Sequence, residues 1–399
     1  MKVGIITFHF VSNQGGVLQA YASQTFLEKN GHEAYIIDYR PGYHNVRYAV
    51  MKNPFTYSKH YWMKFQNQSF LKRMLLTIRS FARCIYMNLK KTDAGVASEY
   101  DNFINKNLHL TRGYKSLRQL ESNPPRFDAY VTGSDQLWNP ELLDYKFDPA
   151  YFLLFGDKNI PKVAYAVSTG KNLSADEESQ LKQLASELSA VSMREFYEST
   201  VGAIGKYTHI CIDPTLLLDA TDYSSVESER EEETYIFVYG FETTDDIIQA
   251  VDLAVKKYGC RVVNGSPHRV KLNLETTNLR DFGPDRFLTL IKNAQCVVTN
   301  SFHGTAFSII YKKDFVTVAH STRGRRMIEL LGKVNLNQRL WGAEEFSFDK
   351  PIDWNSVYNI LKVLRKYSGE YLLYAIQGVP GERIPHWDEE YMSINVSDK

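Results

Sequence analysis

The segment "TNSFHGTAFS" (299–308) sets a histidine and a glycine among small hydroxyl residues, between one apolar run and the next. Two readings fit it. Ser and Thr favour helix starts, so it can be a plain capped turn. It can also be a reaction centre. His303 exchanges protons near neutral pH, Gly304 admits close backbone approach, and a following helix N-terminus favours an anion. Three further loops stand directly after strand-like runs. "SMRE" (192–195) offers Glu195 and Arg194, whose planar fork suits phosphate or carboxylate; a surface ion pair is the plainer alternative. "TGSDQLWNP" (132–140) offers Ser134, Asp135, Gln136 and Trp138, either a polar sugar platform beside an indole or a Ser-Asp helix cap. "NQGG" (13–16) puts Asn13, Gly15 and Gly16 at a helix start, without the GxGxxG spacing of a dinucleotide loop. Past the histidine, "STRGRRM" (321–327) adds Arg323, Arg325 and Arg326. The predicted ligand of these loops is small and highly anionic. No Ser-His-Asp order, HExxH motif or Walker loop is visible.

Such loops converge only if their strands run parallel. "KVGIITF" (2–8), the loop 9–16, a helix over 17–31 and "EAYIIDY" (33–39) form a βαβ unit, which implies a parallel sheet. Runs at 127–133, 162–168 and 190–195 extend it, with an amphipathic helix over 176–189. The acidic stretch around "SSVESEREEET" (224–234) interrupts the apolar rhythm, which restarts with strands at 235–241, 260–265, 295–300 and 315–319. Helices over 245–259, 283–294 and 304–313 separate them. The expected fold is α/β, with two Rossmann-like domains facing across a cleft and the site at the strand carboxyl ends. We place the domains at 1–223 and 235–370, with 224–234 as linker and a tail, 371–399, packing back on the first domain.

The whole-chain totals exclude some classes. With 399 residues and a net charge of +1, nothing argues globally for nucleic acid. Cys84, Cys211, Cys260 and Cys296 form no CxxC pair, so neither a zinc site nor a disulfide framework is expected. Met1 opens straight onto a strand pattern, so a cytosolic location is expected. No run approaches the ~20 apolar residues of a membrane-spanning helix.

One stretch stands apart. Between Pro41 and Thr92 there are ten Lys or Arg and no Asp or Glu, with aromatic residues interleaved. Part of this insertion, 70–91, reads as a basic amphipathic helix suited to anionic lipid headgroups. An insertion packing its apolar face on its own domain is the plainer alternative.

At these residues the chain resembles the polysaccharide pyruvyl transferase family. The resemblance is carried by "NQGGVLQAYASQTFLEKNGHEAYIIDY", "VTGSDQLWNP", "YAVSTG", "SMREFYE", "IDPTLLL", "GPDRFLTLIKNAQCVVTNSFHGTAFSIIYKKDF" and "RRMIELL", in that order. It implies a GT-B-like fold and transfer of an enolpyruvyl unit from phosphoenolpyruvate to a sugar diol, giving a pyruvate ketal. It implies no cofactor beyond that co-substrate; a divalent ion could come with the phosphate, though no metal site is indicated. The acceptor implied is a glycan, on a polyprenyl diphosphate carrier, at the cytoplasmic membrane face. That surface would be met through residues 41–92, peripherally. His303 aligns with the family histidine and is the expected proton donor, with Asp135 or Glu195 as hydroxyl base. Arg194, Arg326, Ser301, Gly304, Thr305 and Arg325 are expected to hold the donor. Asn13, Gly15, Gly16, Ser134, Gln136 and Trp138 are expected to hold the acceptor. Some branches carry Arg where this chain has Ser301, so that phosphate or carboxylate contact is either missing here or supplied by Arg323, Arg325 or Arg280. Two other functions stay open: a GT-B glycosyltransferase using a nucleotide sugar, and a non-catalytic membrane-surface glycan-binding protein.

Overall fold

The computed structural model describes residues 1–45, 51–90, 94–205, 207–229, 234–267 and 270–385. Parts of the basic stretch (Arg47, Tyr48, Lys91), part of the linker and the tail from 386 lie outside the described residues.

Short runs rich in Val, Ile and Tyr, closed by glycine or polar turns, make the strands. The first sheet has the order β2-β1-β3-β4-β5-β6. Its strands are β1 (Lys2–Ile6), β2 (Glu33–Ile36), β3 (Ala129–Thr132), β4 (Lys162–Val167), β5 (Ala190–Met193) and β6 (Thr208–Ile210). The second, β11-β10-β7-β8-β9, comprises β7 (Tyr235–Tyr239), β8 (Arg261–Asn264), β9 (Thr277–Asn278), β10 (Cys296–Thr299) and β11 (Asp314–Thr317). Every pairing is parallel. Parallel sheets need cover on both faces, and β3, β4, β7 and β10 are accordingly buried along their whole length. The architecture is therefore the expected one, two Rossmann-like α/β domains facing across a cleft in the GT-B manner. Strands β6 and β9 are additions; three and two residues are too short to carry a pattern.

The helices begin where local chemistry caps them. Asn13 accepts from Gly16 N at the start of α1 (Gln14–Lys29). The hairpin helices α2 (Pro54–Lys64) and α3 (Phe70–Lys90) come next in the chain, then α4 (Ala94–Asn107). A Ser174–Glu177 capping box opens α5 (Ala175–Ala185). Thr244 caps α6 (Asp245–Tyr258), which has Asp245 and Asp246 in its first turn and Lys256 and Lys257 in its last, matching the helix dipole. Pro284 begins α7 (Pro284–Asn293), and Ser301 caps α8 (Phe302–Ile310). Next come α9 (Arg325–Lys333) and α10 (Trp354–Ile376).

One core runs through both domains. Tyr21 of α1 meets Tyr223 with ring centres 6.0 Å apart, Tyr223 meets Phe307 of α8 at 5.1 Å, and Phe307 meets Phe287 of α7 at 5.8 Å. Two further clusters cover the outer faces of the two sheets. The chain also crosses back to the first sheet earlier than a boundary at 370 allows. Within α10, Arg365 Nε donates to Leu216 O, Ser368 Oγ accepts from Ile212 N, and Tyr371 donates to Ala164 O.

Candidate active site

The two sheets aim their carboxyl ends at each other, and the loops after β3, β5, β6 and β10 bring one charged cluster to the seam. Arg194, just past β5, is buried and faces three carboxylates. Its Nη1 lies 2.7 Å from Asp213 Oδ2, its Nη2 3.3 Å from Asp135 Oδ1, and its Nε 3.4 Å from Glu195 Oε2. Asp213 follows β6 and also accepts from Thr215 N, Thr215 Oγ1 and Ser134 Oγ. From the second domain, His303 in the first turn of α8 brings Nε2 to 3.6 Å from Asp213 Oδ2, too far for a hydrogen bond. That nitrogen is buried and has no hydrogen-bond partner among the described residues.

Burial alone would raise the Asp213 pKa, but His303 and then Arg194 hold the carboxyl far below the ordinary carboxylate range. Asp135 follows the same pattern, with Arg194, His303 and Arg326 outweighing desolvation. The Arg326 guanidinium is pushed down to about 10, by burial first and by the like charge of Arg194 second. Its Nε also has no partner among the described residues. Phe302 lies between the two cations, 4.6 Å from Arg194 Cζ and 5.8 Å from Arg326 Cζ. Counting formal charges, three carboxylates face two guanidiniums, so a protonated His303 brings the cluster to neutrality. Arg326 is the member left to meet an added anion.

Several expected ligands have other work. Arg194 is a buried tie between carboxylates, not an open receptor for the donor phosphate. Arg325 is exposed, pairs with Glu329 at 2.8 Å and covers the Tyr197 ring. Arg280 is also exposed. Ser301 caps α8, and Thr305 is buried with its hydroxyl on Ser301 O and Thr317 Oγ1. A Cβ on Gly304 would stand 2.2 Å from Thr299 Oγ1, so helix packing requires this glycine.

The acceptor set departs furthest from expectation. Trp138 is fully buried, stacked on Phe152 at 4.8 Å, with its indole N–H on Tyr151 O; it offers no face to a sugar. Ser134 is buried and donates to Ala166 O, and Gln136 accepts from Asn139. Asn13 is a cap, and Gly16 packs against Val11 and Phe8 O. Gly15 has a different part: a Cβ there would lie 1.9 Å from His303 Nδ1. Its missing side chain is what lets the two domains meet at the histidine. Of the two candidate bases, Glu195 is sealed in, with its side chain 1% exposed and one oxygen held by Ser168 Oγ, whereas the Asp135 side chain is 15% exposed.

The reading of the sequence missed Asp213. The available signal was an acidic residue before proline in "CIDPT", at the end of a strand too short to recognise. A pocket lined by Arg194, Asp213, Phe302, Arg326, Glu329 and Lys333 adjoins the cluster but has room for only about one water. A roomier cavity of about 300 Å³ lies elsewhere, between the far end of α8 and α10. Among the described residues no three His, Cys, Asp or Glu side chains gather as metal ligands.

The family model for polysaccharide pyruvyl transferase matches residues 13–322, a span that contains every member of the cluster except Arg326. No curated protein matches the chain. Among solved structures it is similar to the S. aureus MnaA–UDP co-structure, at 9% identity and TM-score 0.47, over 96% of this chain and 99% of that one. It is also similar to UDP-GlcNAc 2-epimerase from Methanocaldococcus jannaschii, at 11% identity and TM-score 0.43, over 92% and 100%. The glycosyltransferase SnogD from Streptomyces nogalater matches at 13% identity and TM-score 0.38, over 100% and 99%. These likenesses concern the fold alone.

Proposed function

The chain belongs to the polysaccharide pyruvyl transferase family, and on that premise we propose that it moves an enolpyruvyl unit from phosphoenolpyruvate to two hydroxyls of one sugar in a polysaccharide precursor. The products are a cyclic pyruvate ketal and inorganic phosphate. Phosphoenolpyruvate is a cytoplasmic metabolite, which places the reaction in the cytoplasm.

The observation that carries this reading is His303 Nε2, buried and unpartnered, held beside the ionised Asp213 at the meeting of the two domains. An imidazolium placed there has a counter-ion that stabilises its charge without taking its proton by hydrogen bond. It delivers that proton to the methylene carbon of the enol, and positive charge develops at C2. A sugar hydroxyl adds to C2 with its proton directed to Asp135, the more accessible of the two carboxylates. The C2–O bond to phosphate then breaks, phosphate leaving with the proton held on Asp135, and the second hydroxyl closes the ring as its own proton passes to the now neutral His303. The donor brings about three negative charges, which Arg326 and the start of α8 meet in a site that excludes water. Arg194 works indirectly, by fixing the carboxylates that position His303.

The test supplies phosphoenolpyruvate with lipid-linked and aryl galactosides, glucosides and mannosides, and follows products by mass spectrometry. One pyruvyl ketal per acceptor with one phosphate released is the expected outcome. His303→Gln should lower kcat by about 10²–10⁴-fold while acceptor binding persists. Stabilisation by UDP with no response to phosphoenolpyruvate, and no transfer to any acceptor, would overturn the proposal.

A further inference from the structure

The basic insertion folds as a helical hairpin with a distinct inner and outer face. Its inner face is tied together locally. Asn88 exchanges two hydrogen bonds with the Lys52 backbone, and Arg73 lies over the Trp62 ring at 3.9 Å while donating to Trp62 O. Only Ser80 and Cys84 of α3 are buried. The outer face carries Leu71, Leu75, Ile78, Ala82, Ile85 and Leu89, whose alternating spacing of four and three residues draws one straight apolar stripe along α3. It is open to solvent: Leu71 is 69% and Leu89 79% exposed. Beside the stripe, on one flank, stand Lys72, Arg79, Arg83 and Lys90.

What covers such a stripe follows from charge. A second copy of the chain would set these four cations against four more, because residues 41–92 contain no acidic side chain. The described end of this chain is also remote: Gly381 bonds to Ser189 and His209 beside β5 and β6, at the sheet edge opposite β2, from which the hairpin departs. An apolar stripe flanked by cations fits an anionic lipid surface, with the side chains in the acyl boundary and the cations at the phosphates.

We infer that α3 lies in the plane of an anionic membrane and docks the protein there by its outer face. The placement suits such an anchor. The hairpin springs from the carboxyl end of β2, the cleft side of the sheet, and leans on the loop after β3, where His60 is 3.9 Å from Asp144 and its ring faces Tyr145. A docked α3 would hold the cleft beside the lipid surface, where a lipid-borne acceptor could enter. Among the described residues no helix is long and apolar enough to cross a membrane, so the contact is one of surface.

Flotation of the full chain with vesicles tests this without reference to catalysis, so its failure and that of the transfer reaction are separable. Vesicles containing phosphatidylglycerol should carry the protein up, pure phosphatidylcholine vesicles much less, and high salt should release it. Arg79→Glu with Arg83→Glu should weaken the partition by at least about thirtyfold, and Leu75→Asp with Ile78→Asp should abolish it. Unfolding temperature and circular dichroism, expected to match wild type, check that both variants keep the fold. No flotation of the wild type, equal flotation on both lipids, or variants that float as well as wild type would overturn the inference. So would a dimer that Leu75→Asp dissociates while vesicles capture nothing.

Discussion

In the cluster between the domains, one guanidinium meets three carboxylates within 3.4 Å, whereas in the hairpin, residues 54–90, seven Lys and Arg occupy a stretch without a single acidic residue. Both regions are dense in charge, but their surroundings differ. Buried charge survives only when balanced nearby, because desolvation is costly. Exposed charge is kept by water and can remain one-sided, ready for something outside the molecule. The first region consequently has little left to offer except His303 Nε2 and Arg326. The second offers nearly all of its charge and none of it is shaped, which suits a surface better than a small ligand.

Substitutions can break this contrast. The largest expected effect is Arg194→Met, which strands three carboxylates in the interior and should cost about 3–5 kcal/mol in denaturant unfolding. The same cluster sets an acid limit. The folded-state pKa values of Asp213 and Asp135 lie below their unfolded ones, so their contribution is fully present above about pH 4 and disappears as pH falls through the folded values. Stability measured against pH should therefore decline on the acid side, and Asp213→Asn should flatten that decline. Next in size is Gly15→Ala, whose Cβ would fall 1.9 Å from His303 Nδ1. We expect a loss of about 1–3 kcal/mol together with reduced transfer, checked by unfolding and by turnover of the same sample. The smallest effect sharpens the comparison from the other side. Reversing Arg79 and Arg83 should leave unfolding within about 0.5 kcal/mol of wild type, since neither charge serves the fold.

The architecture was legible because βαβ units announce themselves through apolar runs and capped helices, and His303, Asp135 and Arg194 stood just past strand ends, with Arg326 in the helix that follows β11. What stayed hidden depended on which way side chains turned. Nothing in "TGSDQLWNP" distinguishes an indole facing a cleft from Trp138 stacked on Phe152. "SMRE" displays Arg194 and Glu195 but not the other two acids that meet the arginine, Asp135 and Asp213, the second of which follows a strand of three residues. Gly15 read as a helix-start residue facing the acceptor, because its true neighbour is a histidine nearly three hundred positions away. Alternating order along the chain encodes topology well; long-range pairing of polar groups is decided only when the sheets have closed.

The double passage of the backbone between domains has a mechanical meaning. Where Tyr223 ends the first passage and α10 makes the second, Arg365 pairs with Asp219 and also bonds Leu216 and Leu218, so the two passages are fastened to each other at one spot. That spot lies near the carboxyl end of α8, and His303 sits in the first turn at the other end. The nine residues of α8 span roughly 13 Å, every one of them buried, so the helix is a rigid strut between the fastening and the imidazole. What holds the two domains together therefore also sets where the histidine stands against Gly15.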